Sequence, residues 1–512
     1  MQPGRPRISV GSDARHDPDT RARRDGSAHH PGRDAAVVSG AASRSNVSAH
    51  LSSADTAWLR MDRPTNLMVI TSVLLFDEPV DIDRIRQVYR HRLVGRYPRF
   101  RQRVVESRLP MRPPHWEDDP EFDLDHHVHH LALPTPGDTT ALQTLIGDLM
   151  MTPLDRNRPL WQVYVVDGYF GGTAIISRLH HCIADGISLA RVMLSLTDSA
   201  SDSAGEVELD PAESAHAGSA VRPGVDLVAA AVRLAGAVAR QSAEIVTSPS
   251  HSVRLVGAVG RNAGTAVRLL LTPSDSASAI KGDPGIDRRV AWSSPLALDE
   301  IKQVAHNHNA TVNDVLLAGV SGALRHYLQD HDSPVPEIQA LVPFNLRPLD
   351  QPVPRGLGNK FGLVLLPLPV GTSGSYRRLV AVHRRMREIK RGPDGAVSYG
   401  LLSVAGLAPE AVERRIVDLF SGKGTAVMTN VPGPTDPVYL AGAPVRTALV
   451  WAPTSGHIGM SVSIFSYRGE VTVGLMVDSV LVPDPDQIVA ALEEELAVLA
   501  TLPPDGSIRA AA

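Results

Sequence analysis

The sequence predicts a mixed α/β (α+β) protein of two folded halves joined by a linker, and three observations carry that reading. Strand-like apolar runs alternate with helix-periodic segments both before residue 200 and after residue 286. Aromatics are few, while Val, Leu, Ala, Gly and Pro are abundant, as in folds built from short strands and packed helices. Between the halves, residues 200 to 220 turn to Ser, Ala, Glu, Asp and Gly, a linker composition.

At 512 residues there is room for two or three domains with large cores. The boundaries expected are a disordered leader over 1–45, an N-terminal lobe over 46–200, a linker with basic amphipathic helices over 201–285, a C-terminal lobe over 286–503 and a disordered tail over 504–512. The leader is rich in Arg, Asp, Ser, Gly and His and has no apolar core of the kind a signal peptide carries.

Ordered sequence begins at Leu51-Ser-Ser-Ala-Asp-Thr-Ala-Trp-Leu. The run Leu67–Phe76 reads as a strand, and Ile82, Ile85, Val88 and Tyr89 fall on a helical spacing after it. His126, His127, His129 and His130 then follow Phe122-Asp-Leu-Asp. Alternation puts His127 and His129 on one face, two ligands at most where a closed zinc site takes four, so the segment reads as a half-exposed strand. A strand pair follows over Trp161–Val166 and Thr173–Leu179, joined through Asp167-Gly-Tyr-Phe-Gly-Gly.

That second strand runs into His180-His181-Cys182-Ile183-Ala184-Asp185-Gly186, and a helix-like segment begins at Ile187. A histidine at the end of a buried strand can act as a general base toward an alcohol, amine or thiol. Side chains alternate across a strand, so His180 and Cys182 share one face and His181 takes the other; only one histidine can be the base. Gly186 allows a tight strand-to-helix turn, and Asp185 is placed to pair with an arginine or accept backbone hydrogens there, an orienting strut rather than a proton carrier. Alternation also points Cys182 away from the base, against a role as nucleophile.

From Arg222 to Leu271, arginines 233 and 240, then 254, 261 and 268, recur on a seven-residue spacing, about two helical turns. Pro249 splits the stretch into two helices. Two readings stay open: a basic amphipathic hairpin resting on anionic lipid, or a linker helix packed over both domains with its arginines in water. The second half opens near Val290, where Thr311 and Asp314 have near capping-box spacing at the head of a helix. Strands are expected over Ile338–Val342, Leu363–Leu368, Ala426–Val431, Ile458–Tyr467 and Glu470–Val477, with a terminal helix over Asp484–Leu499.

The formal net charge of −4 argues against a nucleic-acid partner. One cysteine excludes an intramolecular disulfide and a cysteine-rich zinc site, and fits a reducing compartment. No uninterrupted apolar span reaches membrane-helix length, and the absence of a GxSxG elbow speaks against a serine hydrolase.

Taken together, several segments resemble the wax ester synthase/diacylglycerol acyltransferase family, bacterial members of the chloramphenicol acetyltransferase-like superfamily. Besides the HHxxxDG stretch they are Leu51-Ser-Ser-Ala-Asp55, Pro64-Thr-Asn-Leu-Met68, Pro153-Leu-Asp-Arg-Asn-Arg-Pro-Leu-Trp161, Thr311-Val-Asn-Asp314, Gly358-Asn359, Thr429-Asn-Val-Pro-Gly-Pro434 and Ser466-Tyr467, in order from Leu51 to Pro503. The resemblance implies two acetyltransferase-like lobes, each a mixed sheet with helices, and a tunnel at their interface reached by acyl-CoA and acceptor from opposite sides. It implies His181 as catalytic base, with His180 and Asp185 in support and Gly186 beside them. It assigns Asn313 and Asp314, the Pro159-Leu160-Trp161 segment and Asn430 to substrate binding or structural support.

The activity so implied is acyl-CoA-dependent O-acyl transfer to diacylglycerol or a long-chain alcohol, giving triacylglycerol or wax ester. No metal or prosthetic group is implied, acyl-CoA being the donor substrate. Peripheral contact with the cytoplasmic face of the membrane or with lipid droplets is implied too. Gln162, where an acidic residue is common, and Phe344-Asn345, where small residues are usual, depart from the family pattern and bear on acceptor choice. Two rivals use the same scaffold: a condensation-type acyltransferase fed by a carrier protein, and a non-catalytic lipid-binding protein.

Overall fold

Strands buried on one or both faces build two main sheets, and the inner strands over Gly172–His180 and Glu470–Asp478 are buried along almost their whole length. The computed structural model describes residues 49–107, 113–200, 268–269, 271–347, 353–392 and 394–503. The arginines at 233, 240, 254 and 261, the leader and the tail lie outside the described residues.

In the N-terminal half, β1 (Val69–Phe76) follows a helix over Ser53–Arg60, and a helix over Ile82–Val88 follows β1. A small ribbon pairs β2 (Gln102–Val105) with β3 (His115–Asp118). Next come β4 (Val128–Ala132), a helix over Thr139–Met150, the hairpin of β5 (Trp161–Tyr169) with β6 (Gly172–His180), and a helix over Gly186–Leu194. The hairpin turns on Phe170 and Gly171, both at positive φ (48° and 86°), the geometry that matches the twist of paired strands.

The C-terminal half supplies β7 (Arg288–Trp292), β8 (Leu296–Ala297), β9 (Ile338–Asn345), β10 (Phe361–Leu368), β11 (Ala426–Pro432), β12 (Tyr439–Leu440), β13 (Ala443–Pro444), β14 (Thr447–Trp451), β15 (Met460–Tyr467) and β16 (Glu470–Asp478). Its main sheet runs β10-β9-β11-β15-β16-β7, with β8 on β16 and β12 paired with β13 apart. The pairs β9/β11 and β11/β15 are parallel, so the sheet is mixed. Helices over Leu298–Asn307, Val312–Asp330, Ser375–Arg391 and Pro485–Thr501 belong to this half, and a core of Leu316, Leu324, Ile338, Leu366, Val462 and Leu492 packs between them and the sheet. The capping box at Thr311 is real: Thr311 Oγ1 accepts the Asp314 N–H at 3.2 Å and Asp314 Oδ2 accepts the Thr311 N–H at 2.9 Å.

The first sheet runs β14-β1-β6-β5-β4, so a strand from the C-terminal half closes its edge. This exchange is absent from the strand pattern expected above. β14 is five residues long and its partner β1 lies at the other end of the chain, so no local turn announces the pairing. Val73 and Leu75 of β1 pack with Leu142, Ile146, Leu449 and Trp451, and with Val290 and Met476 of the second sheet. The other face of β1 presents Ile70, Ser72 and Leu74 to the space between the sheets.

Among the described residues no helix is long and apolar enough to cross a membrane. Of the linker arginines, Arg268 is described, and its guanidinium pairs with Asp394 at the start of the helix over Asp394–Ala405.

Candidate active site

His181 leaves β6 still paired to the first sheet, its N–H donating to the Met68 carbonyl at 2.7 Å. Its ring is 5% exposed and lies flat against Trp58, with centroids 4.2 Å apart and an interplanar angle of 14°. Phe361 of β10 stands 5.3 Å from it on a tilt. Nδ1 is 3.0 Å from Asn359 Oδ1. The Asn359 amide nitrogen donates to Asp55 at 2.8 Å and to the His181 carbonyl at 2.7 Å, which fixes its oxygen toward the ring. Nδ1 therefore carries the proton, and Nε2 is left with its lone pair for chemistry. Burial of the ring lowers its pKa to about 4, against smaller opposing effects that include Asp185 and the Asn359 hydrogen bond. At neutral pH His181 is an uncharged base.

Behind Asn359 the chain of polar contacts continues to Asp55, which is 1% exposed and pairs with Arg99 at 3.4 Å. Arg99 also donates to the Ile183 carbonyl at 2.7 Å and lies over the Trp116 ring. Gly358, at φ 99°, lets the loop lie beside the HHxxxDG turn, its N–H on the Ile183 carbonyl at 3.1 Å. Asp55 and Asn359 fall within segments that carry the family resemblance, yet neither was assigned a role there. The two are brought together only by the fold.

Asp185 does not touch the His181 ring through a hydrogen bond; that part is taken by Asn359. Asp185 Oδ1 caps the following helix through the Ser188 N–H at 2.8 Å, and Oδ2 accepts the Lys360 N–H at 3.1 Å, with Arg347 3.9 Å away. The carboxylate thus pins the turn to the loop that delivers Asn359.

His180 faces the opposite way. Its Nδ1 accepts the Cys182 N–H at 3.1 Å, and Nε2 lies 3.2 Å from Asp62, itself in contact with Arg156. Burial opposes charge on His180, while Cys182 and Asp62 raise its proton affinity and outweigh burial. With Nδ1 accepting the Cys182 N–H, the proton of the neutral ring sits on Nε2, toward Asp62. Cys182 is fully buried in the first core.

An open cavity lies between the sheets, with about 1420 Å³ of empty space counted out into its solvent mouth and His181, Asp185 and Gly186 in its wall. Ile70, Leu179, Met193, Val431 and Phe465 make most of its surface apolar. Gly186 is not required by the turn: its φ is ordinary, and a Cβ there would meet nothing within 4 Å. The expected turn role gives way to a bare patch of cavity wall.

Asn430 lines the cavity and donates to Asn313 Oδ1 at 3.0 Å. Asp314 stays in the capping box and takes His383 at 2.8 Å, bracing the helix from inside the C-terminal half. Pro159, Leu160 and Trp161 are buried away from the cavity, with Trp161 Nε1 donating to the Phe100 carbonyl at 2.8 Å. Gln162, one of the departures, receives hydrogen bonds from buried Arg178 at 3.2 Å and Tyr164 at 2.9 Å. Of the other departure, Asn345 lines the cavity and Phe344 is exposed. The four neighbouring histidines go separate ways: His127 to the Trp161 carbonyl, His130 to Asp167, His126 to Arg158, and His129 stacked on Tyr164. Among the described residues no cluster of three metal-capable side chains occurs.

Two sheets with a histidine between them define the two-lobed chloramphenicol acetyltransferase-like class. The wax ester synthase/diacylglycerol acyltransferase from Marinobacter aquaeolei VT8 superposes with a TM-score of 0.63 at 22% identity, covering 89% of this chain and 100% of that one. The first condensation domain of the CDA synthetase gives 0.54 at 18%, covering 89% and 95%. Residues 51–316 match the wax ester synthase/diacylglycerol acyltransferase catalytic domain, and residues 357–500 match the C-terminal domain of the same family. A probable diacylglycerol O-acyltransferase of Mycobacterium tuberculosis is 30% identical over 464 residues, 88% of this chain and 96% of that protein. An O-acyltransferase of Acinetobacter baylyi is 28% identical over 386 residues, 74% of this chain and 82% of that protein. The chain belongs to the wax ester synthase/diacylglycerol acyltransferase family, and it is an O-acyltransferase.

Proposed function

We propose that this enzyme transfers an acyl group from acyl-CoA to the hydroxyl of diacylglycerol or a long-chain alcohol, with His181 as general base. The observation that carries the reading is a neutral, tautomer-fixed histidine in the wall of an apolar cavity between two sheets. His181 Nε2 takes the hydroxyl proton as the oxygen attacks the thioester carbonyl. The tetrahedral intermediate collapses, the C–S bond breaks, and the imidazolium returns the proton to the departing thiolate. The products are an ester and free CoA, with no covalent enzyme intermediate. While the imidazolium exists, Asn359 accepts from Nδ1–H and Asp55 holds Asn359, so an amide dipole fixed in place faces the charge.

Acceptor and product are lipids, so the enzyme works at the cytoplasmic face of a membrane or at a droplet surface.

The test is release of free CoA from palmitoyl-CoA by purified protein, with diacylglycerol and hexadecanol offered separately beside a His181→Ala control. Acceptor-dependent release that the control loses by about 10²-fold or more is expected. Folded protein that releases no CoA with either acceptor overturns the reading in favour of a carrier-bound donor or a non-catalytic lipid role.

A further inference from the structure

A second cavity, with about 770 Å³ of empty space counted out into its solvent mouth, lies on the far side of the aromatic stack that holds His181. Trp58, stacked on His181, lines it, and Phe361 lines both cavities, with the two rings 5.6 Å apart. Most of its remaining wall comes from β10 and the helices over Asp394–Ala405 and Glu410–Ser421, through Leu363, Leu402, Ala405, Val417 and Phe420, with Met61, Leu269 and Leu341 beside them. Of the three serines in that wall, Ser398, Ser421 and Ser455, the first two spend their hydroxyls within the protein. Ser398 Oγ accepts the Leu363 N–H at 2.8 Å and donates to the Gly395 carbonyl at 3.0 Å. Ser421 Oγ donates to the Asp418 carbonyl at 3.2 Å and accepts the His457 N–H at 3.3 Å. What faces the cavity is mostly hydrocarbon, a wall that favours an apolar chain and gives water few partners.

Resting on the transferase reading above, we propose that this second cavity receives one hydrocarbon chain of a diacylglycerol acceptor. Three chains must be accommodated when diacylglycerol meets an acyl thioester, against two when a fatty alcohol does. Both reacting groups must reach Nε2 together, so their chains have to leave it in different directions. The two cavities flank the Trp58–His181–Phe361 stack, the first lined by His181 and Phe361 and the second by Trp58 and Phe361, and so offer two such directions. The second cavity is therefore a determinant of acceptor class: it is needed for a two-chain acceptor and less so for a single-chain one.

The experiment fills the cavity with Leu402→Trp and, separately, Leu401→Trp, each confirmed folded by its thermal transition. The ratio of kcat/KM for dioleoylglycerol to that for hexadecanol is read with palmitoyl-CoA as donor. A fall in this ratio of about tenfold or more in either folded variant is expected. An unchanged ratio in both folded variants overturns the proposal, whether the two activities fall together or stay level. A second arm is independent of turnover and of folding of the variants: wild-type protein is irradiated with a diacylglycerol carrying a diazirine near one chain end. Labelling of peptides containing Leu401–Ala405 or Ile416–Phe420 supports the assignment even if no acyl transfer is seen, in which case only the transferase reading fails. Labelling confined to peptides of the first cavity overturns it.

Discussion

His181 is a base because of what surrounds it, and its acid–base behaviour is the place to test that. Burial disfavours the imidazolium, so the free enzyme holds His181 unprotonated until the pH falls to about 4. Activity requires the unprotonated ring. The kcat/KM profile is therefore expected to be flat with respect to this group from neutral pH down to about 5, and to fall on an acid limb near 4. An acid limb at an ordinary histidine value, about 6.5, would show that the ring is solvated in solution and that the burial argument is wrong. Replacing Asn359 by Ala removes the acceptor that fixes the Nδ1–H tautomer; kcat is expected to fall about 10²-fold with the fold intact by near-UV circular dichroism. The HHxxxDG stretch was legible in the sequence because its residues are contiguous. Asn359 and Asp55 were visible only as members of matching segments, since nothing local says that an amide near residue 359 will turn toward a histidine at 181.

Elements whose signal is local were readable: β1, β5, β6, β10, β11 and β16 are all rich in apolar residues, and the Thr311 cap marks its helix. Elements held by distant partners were not. The arginine-rich helix over Ser375–Arg391 hides a narrow apolar stripe of Leu379, Val382 and Met386, and β14 is a strand because β1 is its neighbour. The helix over Asp394–Ala405 is fixed by close approach rather than by side-chain pattern. A Cβ on Gly406 would stand 1.8 Å from the Ser53 carbonyl oxygen, where the helix that carries Trp58 begins. One on Gly362 would stand 1.8 Å from the Gly395 carbonyl oxygen. No side chain can flex to relieve either contact, because both obstacles are backbone. Gly406→Ala is expected to lower stability by about 1–3 kcal/mol, read as a shift in the urea midpoint at constant slope. An unchanged midpoint would mean that the two helices do not meet this closely.

Across the whole molecule, the active site is stitched from both halves of the chain, and the stitches are buried. Asp55 and Asn359 share two hydrogen bonds, β14 completes the first sheet, and Arg288 joins Asp478 of the second sheet to the Thr65 carbonyl of the N-terminal half. The packing around Val73, Trp451, Val290 and Met476 draws on both sheets. Halves tied in this way are not independent folding units. A fragment of residues 1–285 would leave the β1 edge without its strand, Asp55 without Asn359, and the Val73 face open to water. Each of these is a loss that a domain of that size has little stability in reserve to absorb. The full chain is expected to unfold in urea as one cooperative transition, and the fragment to show none by tryptophan fluorescence. A sharp transition in the fragment alone would show that the N-terminal sheet is stable without β14. In that case the borrowed strand serves to hold the halves at a fixed separation around the cavity, rather than to make the first half fold.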